Sequence, residues 1–403
     1  MRSFNVRVYI AGSSLSYVGL YVQSFAQWWL VLSITGNRSA LPFTIGLQTV
    51  PLLLFGTWGG SVIDRLDNRR LMTITSIVNM AAAIGLGVLV QMGHVQVLTV
   101  YGFALLMGFV SVLERPALQA IVSELAQPTE VPGAVALNAM VFPIARLLGP
   151  PIATLIIAIS GIAACFYVNA GSYLFFLAAL AMLRRDEMFP RRQTRQRKGM
   201  IVEGFRYVRH DPIVGPVLVA MFFIGLAGFN FPMVMPLMAK YTFHLNEARL
   251  SLPVSLSAVG ALVAGVIAAG LQKPTVRLLA IGALLFGALL VAYGGAPNYL
   301  VWVVVSLPVG IAATMFTTVV VQVLQKASRP EMLGRVLALY NIAFLGTTPI
   351  GALFVAWLST VFTPRAPFVA GGVVVALTGV AMLWVGARRS PAPAELEEPS
   401  LVG

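Results

Sequence analysis

The stretch Ser111 to Ala120, SVLERPALQA, sets Glu114 and Arg115 inside an otherwise apolar run, and a second guanidinium, Arg146, falls inside the next such run. The chemistry open to these three residues is reversible protonation and pairing of charge. A carboxylate or guanidinium at the centre of a bilayer costs about 2.5 to 3.5 kcal/mol on insertion scales, so such groups pair, face a cavity and carry function. At about 1.5 Å per helical residue, Glu114 lies ~15 Å from the nearer end of its helix and Arg146 ~18 Å into the next, which puts them at similar depth. One reading is an ion pair that only fastens two helices. The other is a pair that faces a cavity and answers to protons or a ligand. Glu114 is the only acidic residue inside the apolar runs, which makes it the leading candidate for a proton-carrying carboxylate. A motion that changed its distance from Arg146 would change its proton affinity.

The elements that position these groups must be membrane helices. Of 403 residues, 58% are hydrophobic and 10% charged, against roughly one quarter charged in a soluble domain. Apolar runs of about 20 residues cross a hydrocarbon core of about 30 Å. Twelve such runs are present: 9 to 34, 41 to 63, 71 to 92, 96 to 121, 134 to 159, 162 to 183, 213 to 239, 250 to 271, 276 to 295, 299 to 324, 336 to 361 and 367 to 387. An all-α membrane protein follows. The net charge of +13 would suit nucleic acid in a soluble protein, but its distribution is the topology signal of a membrane protein. With the N-terminus in the cytoplasm, 21 basic residues fall in inner loops and tails and only Arg38, Lys240, Arg249 and Arg365 fall outside. Nucleic acid is thereby excluded as a partner, and a multi-pass protein of the cytoplasmic membrane with both termini inside is expected. The basic start followed by an apolar run is read as the first span and not as a secretory signal, because the run is too long and lacks a cleavage site.

Absences narrow the chemistry further. The sequence holds no phosphate-binding G-x-x-x-x-G-K-[ST] loop and no H-E-x-x-H, its three histidines fall in connectors, and its lone cysteine, Cys165, permits no intrachain disulfide. Neither an enzyme nor an ATP-driven pump is supported, no metal or cofactor is expected, and an ion gradient is the expected energy source.

The longest polar interval divides the chain near its middle, giving residues 1–183 as one six-helix unit, 184–212 as a basic linker, 213–387 as a second six-helix unit and 388–403 as a tail. Within the linker, Ile201, Val202, Phe205 and Val208 recur at helical spacing with Glu203, Arg206 and Arg209 between them, the pattern of an amphipathic helix on the inner membrane surface. The two units share wording about 200 residues apart. Pro128, Glu130 and Gly133-Ala134-Val135 are matched by Pro330-Glu331 and Gly334-Arg335-Val336, and Pro151-Ile152-Ala153-Thr154-Leu155 is echoed by Pro349-Ile350-Gly351-Ala352-Leu353. A duplicated unit with a binding site at the repeat interface is the architecture of many secondary transporters.

Between the second and third runs lies GGSVIDRLDNRR, in which Gly60, Asp64-Arg65 and Arg69-Arg70 are spaced as a glycine, an acid-base pair and two bases. This resembles the loop signature of the major facilitator superfamily, with Asp67 where that pattern has a second glycine. The resemblance covers nearly the whole chain and points to the branch of macrolide-efflux and enterobactin-exporter proteins, through Glu114 to Ala120, Ala145-Arg146-Leu147-Leu148-Gly149-Pro150, Glu203 to Arg209 and Gly334-Arg335-Val336. It implies twelve helices in two pseudo-symmetric six-helix bundles that move by alternating access. By the same resemblance, Asp64 would latch across to the second unit with Arg65, Arg69 and Arg70 assisting, while Gly149-Pro150 is similar to the helix motif of antiporters, with Ala153 and Thr154 replacing the glycines expected next. Tyr17, Gln23, Gln27, Gln119, Asn230 and Gln322 are polar or aromatic positions within the runs that suit a cavity for a large amphiphilic substrate. The expectation is a monomeric exporter of drug-like or siderophore-like molecules, running as a proton antiporter among membrane lipids. A lipid or lysolipid flipper of the same fold, or a transporter-like scaffold or sensor without flux, stands as the alternative.

Overall fold

The computed structural model describes residues 3–63, 66–127, 129–189, 200–271 and 274–389. Its helices in chain order are α1 (Phe4–Thr35), α2 (Ala40–Ile63), α3 (Asn68–Gln91), α4 (Val97–Leu125), α5 (Val131–Met182), α6 (Met200–His210), α7 (Val214–Gly228), α8 (Phe231–Leu237), α9 (Glu247–Ala269), α10 (Val276–Gly294), α11 (Tyr299–Ala327), α12 (Leu333–Leu345), α13 (Thr348–Val361) and α14 (Ala366–Arg389). No strand occurs among the described residues. Three elements depart from one helix per apolar run. α5 holds two runs that double back at Gly161, whose φ of 79° and ψ of 175° only glycine adopts without strain. α7 and α8, continued by a π turn at Met238–Thr242, form one crossing broken at Phe229 and Asn230. α12 and α13 form another, broken at Gly346 and Thr347. With those breaks counted, the twelve expected crossings are all present.

Helix ends are written in the sequence as side-chain caps, because the first N–H groups of a helix have no partner within it. Ser3, Asp67, Asn246, Thr275 and Asn298 each accept from a backbone N–H one to two residues into the helix that follows. Between these caps the faces are apolar all round, as buried or lipid-facing helices are. Packing repeats between the two halves. α2 lies along α4 as α9 lies along α11, and α3 lies against the second limb of α5 as α10 lies against α14. The halves meet where α5 packs on α9 and α2 on α13, a pair of contacts that exchange under a two-fold axis.

Two ends of the bundle are distinguishable. The proximal end carries the N-terminus, the α4–α5 turn and α6, and the distal end carries the turns at 36–39, 243–246 and 362–365. Among the described residues, three hydrogen bonds join the first half to the second. Arg38 donates to the Ser359 carbonyl at 3.3 Å, Lys240 donates to the Leu32 carbonyl, and Ser255 donates to the Leu147 carbonyl at 3.1 Å. The first two lie at the distal end and the third near mid-depth.

Candidate functional site

Glu114 occupies the middle of α4, two residues before Pro116, whose ring removes one N–H from the helical ladder and frees the Val112 carbonyl. Its carboxylate is half-buried and accepts from Asn79 Nδ2 on α3 at 3.2 Å. The Tyr9 and Tyr17 phenols of α1 and the Tyr173 phenol of α5 lie within range of its charge. Arg115, next along the helix, is exposed, and Arg146 on α5 is half-buried. Neither guanidinium makes a hydrogen bond or ion pair among the described residues, and no ion pair joins Glu114 to Arg146. Of the two readings drawn from the sequence, a fastening ion pair is therefore absent from this arrangement. Both guanidiniums stand within Coulombic range of the Tyr21 phenol, and Glu114 and Arg115 within that of Tyr17.

Tyr17 and Tyr21 set their rings edge-on to Phe142 of α5, with centroids 6.0 Å and 5.3 Å apart. What brings α5 this close is Gly149: a Cβ at that position would overlap Tyr21 Cβ and stand 3.1 Å from the Tyr21 carbonyl carbon. In this arrangement the Gly149-Pro150 pair is a buried helix contact.

Of the amides expected to line a cavity, Gln23, Gln27 and Asn230 are buried. Gln23 is buried, donating to Met107 Sδ at 3.8 Å and accepting from Asn169 Nδ2 at 2.6 Å. Gln27, one turn further, is also buried. Asn230 donates to the Leu226 and Ala227 carbonyls at 2.8 and 3.3 Å, where the break between α7 and α8 leaves them without helical donors. Gln322 donates to the Ala268 carbonyl of α9 at 3.3 Å. A primary amide inside a bilayer is held by whichever donors and acceptors its neighbours leave unpaired. Tyr17 is half-buried, and the side chain of Gln119 lies outside the described residues.

In the loop between α2 and α3, Asp64 and Arg65 lie outside the described residues, as do the surroundings of Gly60. Asp67 has φ of −68° and caps α3, accepting from Arg69 N at 2.9 Å and Arg70 N at 3.3 Å. The carboxylate thus gives the loop a turn that needs no second glycine. Arg69 donates to the Ala181 and Leu183 carbonyls at 3.0 and 3.4 Å, closing the C-terminal end of α5, and Arg70 sits 3.8 Å from Asp67. Both arginines are engaged within their own half.

Three residues that matter were not singled out in the sequence: Asn79, Asn169 and Tyr173, all buried beside the candidate site. Two asparagines in charge-free runs were the available signal, since an amide at membrane depth needs a partner.

The chain matches the transmembrane secretion effector family over residues 2–397. Among curated proteins it is 23% identical to the staphyloferrin A transporter of Staphylococcus aureus over 64% of this chain and 65% of that protein. It is 24% identical to the enterobactin exporter of Escherichia coli over 91% of this chain and 86% of that protein, and 24% identical to the multidrug efflux pump Tap of Mycolicibacterium fortuitum over 89% and 90%. Among solved structures, a transporter of the POT family superposes with a TM-score of 0.74 at 12% identity, covering 95% of this chain and 96% of that one. A bacterial homologue of the lysosomal transporter Spinster superposes with a TM-score of 0.73 at 13% identity, covering 96% and 98%.

Proposed function

The chain belongs to the transmembrane secretion effector family of the major facilitator superfamily, and from that premise we propose that it exports small amphiphilic molecules of the siderophore or drug type in exchange for protons. The observation that carries the coupling is Glu114: a carboxylate at membrane depth, held by one amide, with Arg115 and Arg146 forming no ion pair or hydrogen bond among the described residues. A rearrangement that brought Glu114 to Arg146 would stabilise the charged carboxylate and release its proton, which ties proton exchange to the change of state. In this reading the protein is a monomer of the cytoplasmic membrane with both termini and the linker inside, its halves are residues 1–183 and 213–387, and α6 lies on the inner membrane surface. The distal contacts of Arg38 and Lys240 then belong to the inward-facing member of an alternating-access pair.

The test is gradient-driven transport. Cells carrying the gene should retain less ethidium and less of a panel of amphiphilic antibiotics and iron-free siderophores than cells without it. In proteoliposomes with an imposed pH gradient, Glu114→Gln should abolish accumulation of the transported probe while leaving its binding. Full accumulation by Glu114→Gln would place the proton elsewhere, and identical retention profiles with and without the gene would remove the export reading.

A further inference from the structure

The two sides of α6 have different surroundings. At about 100° per residue, Glu203, Gly204 and Tyr207 fall on one side of the helix and Phe205, Arg206 and Arg209 on the other. The first side is fastened to the second half. Glu203 pairs with Arg335 of α12 at 3.0 Å, and Tyr207 Oη accepts from the Arg329 N–H at 3.4 Å in the turn before α12. Gly204 lets the two helices close up, since a Cβ there would stand 3.2 Å from Arg335 Cβ. α6 also lies across the entry of α7 and not in line with it. Only residues 211–213 separate the two helices, and Asp211 accepts from Ile213 N and Val214 N at 2.9 and 2.8 Å. A Cβ at Gly215 would stand 2.6 Å from the Val208 carbonyl oxygen, an approach that requires the chain to fold back sharply. Because α7 is apolar from Val214 onward, α6 is held at the level where the chain enters hydrocarbon.

The second side is turned away from the bundle. Phe205 is 65% exposed, Arg206 and Arg209 are exposed, and among the described residues neither guanidinium has an ion-pair partner. The carboxylates at hand are engaged, Glu203 with Arg335 and Asp211 with the first N–H groups of α7. The wider segment 184–209 carries nine basic residues against three acidic ones. A bare aromatic ring beside two guanidiniums, at the edge of hydrocarbon, is complementary to a phospholipid interface. The ring enters the acyl boundary, and each guanidinium offers a fork of N–H groups to phosphate oxygens. A zwitterionic headgroup brings its own cation to its phosphate, whereas an anionic one leaves the phosphate free for arginine. We propose that the outer side of α6 is a docking surface for anionic phospholipid headgroups of the leaflet at the proximal end, and that it fastens the second half to that leaflet through α12. This rests on α6 lying at the membrane surface, as proposed above, and not on the direction or cargo of transport. Each basic residue near an anionic surface favours docking by about fivefold, so Arg206 and Arg209 together give about 25-fold.

The experiment uses the full chain in nanodiscs, with Cys165→Ala as background and a nitroxide at His210→Cys, the exposed last residue of α6. Collision with oxygen and with a water-soluble nickel chelate separates docked from free label. Replacing one third of a phosphatidylcholine bilayer by phosphatidylglycerol should raise the ratio of docked to free label about 25-fold. The double variant Arg206→Gln with Arg209→Gln should lose that gain, Arg206→Lys with Arg209→Lys should keep most of it, and 1 M salt should erase most of it in the unaltered helix. Phe205→Ser should weaken docking in both bilayers and leave the ratio between them unchanged. A difference below twofold between the two bilayers, or a glutamine variant that behaves as the unaltered chain, overturns the lipid site. In that event, label docked in both bilayers leaves α6 on the membrane surface, and label in water in both removes that placement too. Shielding in pure phosphatidylcholine that disappears on truncation after Arg389, which removes Glu395, Glu397 and Glu398, would give this face to the acidic tail of the chain and overturn the lipid site.

Discussion

Removing the two cations that fasten the distal end should shift the protein toward a distally open state by about thirtyfold. Arg38 and Lys240 donate across the halves to the Ser359 and Leu32 carbonyls, which lie in the last turns of α13 and α1. Those carbonyls have no helical donor and sit at the negative end of the helix dipole, so a cation there is favoured by up to about 1 kcal/mol at partly exposed sites. A hydrogen bond to a charged group is worth roughly 1.5–3 kcal/mol net when well buried. Both side chains are half-buried, which places each contact near the low end, at about 1 kcal/mol. The pair together contributes ~2 kcal/mol, and 1.4 kcal/mol is a factor of ten, hence the thirtyfold change in the ratio of states. Both cations also flank the Tyr241 ring at 5.6 Å from its centroid, and because they share that partner the double variant should depart from the sum of the singles. Arg38→Met and Lys240→Met keep the apolar stems and remove the charge. Single-molecule energy transfer between dyes at positions 94 and 297 would read the populations. A change below twofold in the double variant, or a shift toward closure, would refute the assignment of these contacts as the distal fastening.

Gly149→Ala should lower stability by about 1–3 kcal/mol, because the new Cβ overlaps Tyr21 and the α1–α5 contact must spread; a thermal unfolding midpoint equal to that of the unaltered protein would argue against a packing role. Asp67→Ala should cost about 1 kcal/mol through loss of the α3 cap without changing transport per folded molecule, whereas Asp64→Asn should impair transport at unchanged membrane abundance. Glu203→Gln should loosen α6 from α12 by removing the 3.0 Å contact to Arg335; at a half-exposed site that contact is worth under about 1 kcal/mol, so faster proteolysis of the linker with little change in unfolding midpoint is expected. A cysteine placed at residue 195 should be labelled only by membrane-permeant reagents in intact cells, and labelling by an impermeant one would invert the proposed topology.

Much of this architecture was legible in the sequence because a bilayer imposes a one-dimensional rule. Every backbone polar group in hydrocarbon must be satisfied locally, so runs of the right length and apolarity become helices wherever they occur. The twelve crossings and the helix within 200–210 follow from composition and local spacing. The intramembrane charges Glu114, Arg115 and Arg146 were visible for the same reason, since a charge stands out where nearly every neighbour is apolar. Partner choice was not visible. Which group meets Glu114 depends on how α3 is rotated against α4, and Asn79 stands 35 residues away in the chain. Gln23 and Asn230 read as cavity residues because their polarity was plain, whereas Asn169 and the unpaired carbonyls at the α7–α8 break that claim them became neighbours only on folding. Arg38 and Lys240 looked like minor exceptions to the charge asymmetry, and only the approach of α1 to α8 and of α13 to the turn before α2 gave them acceptors in the opposite half. Helix formation is decided within a few residues of chain, but the pairing of polar groups is decided by close packing between helices distant in sequence, and that is fixed by the tertiary structure alone.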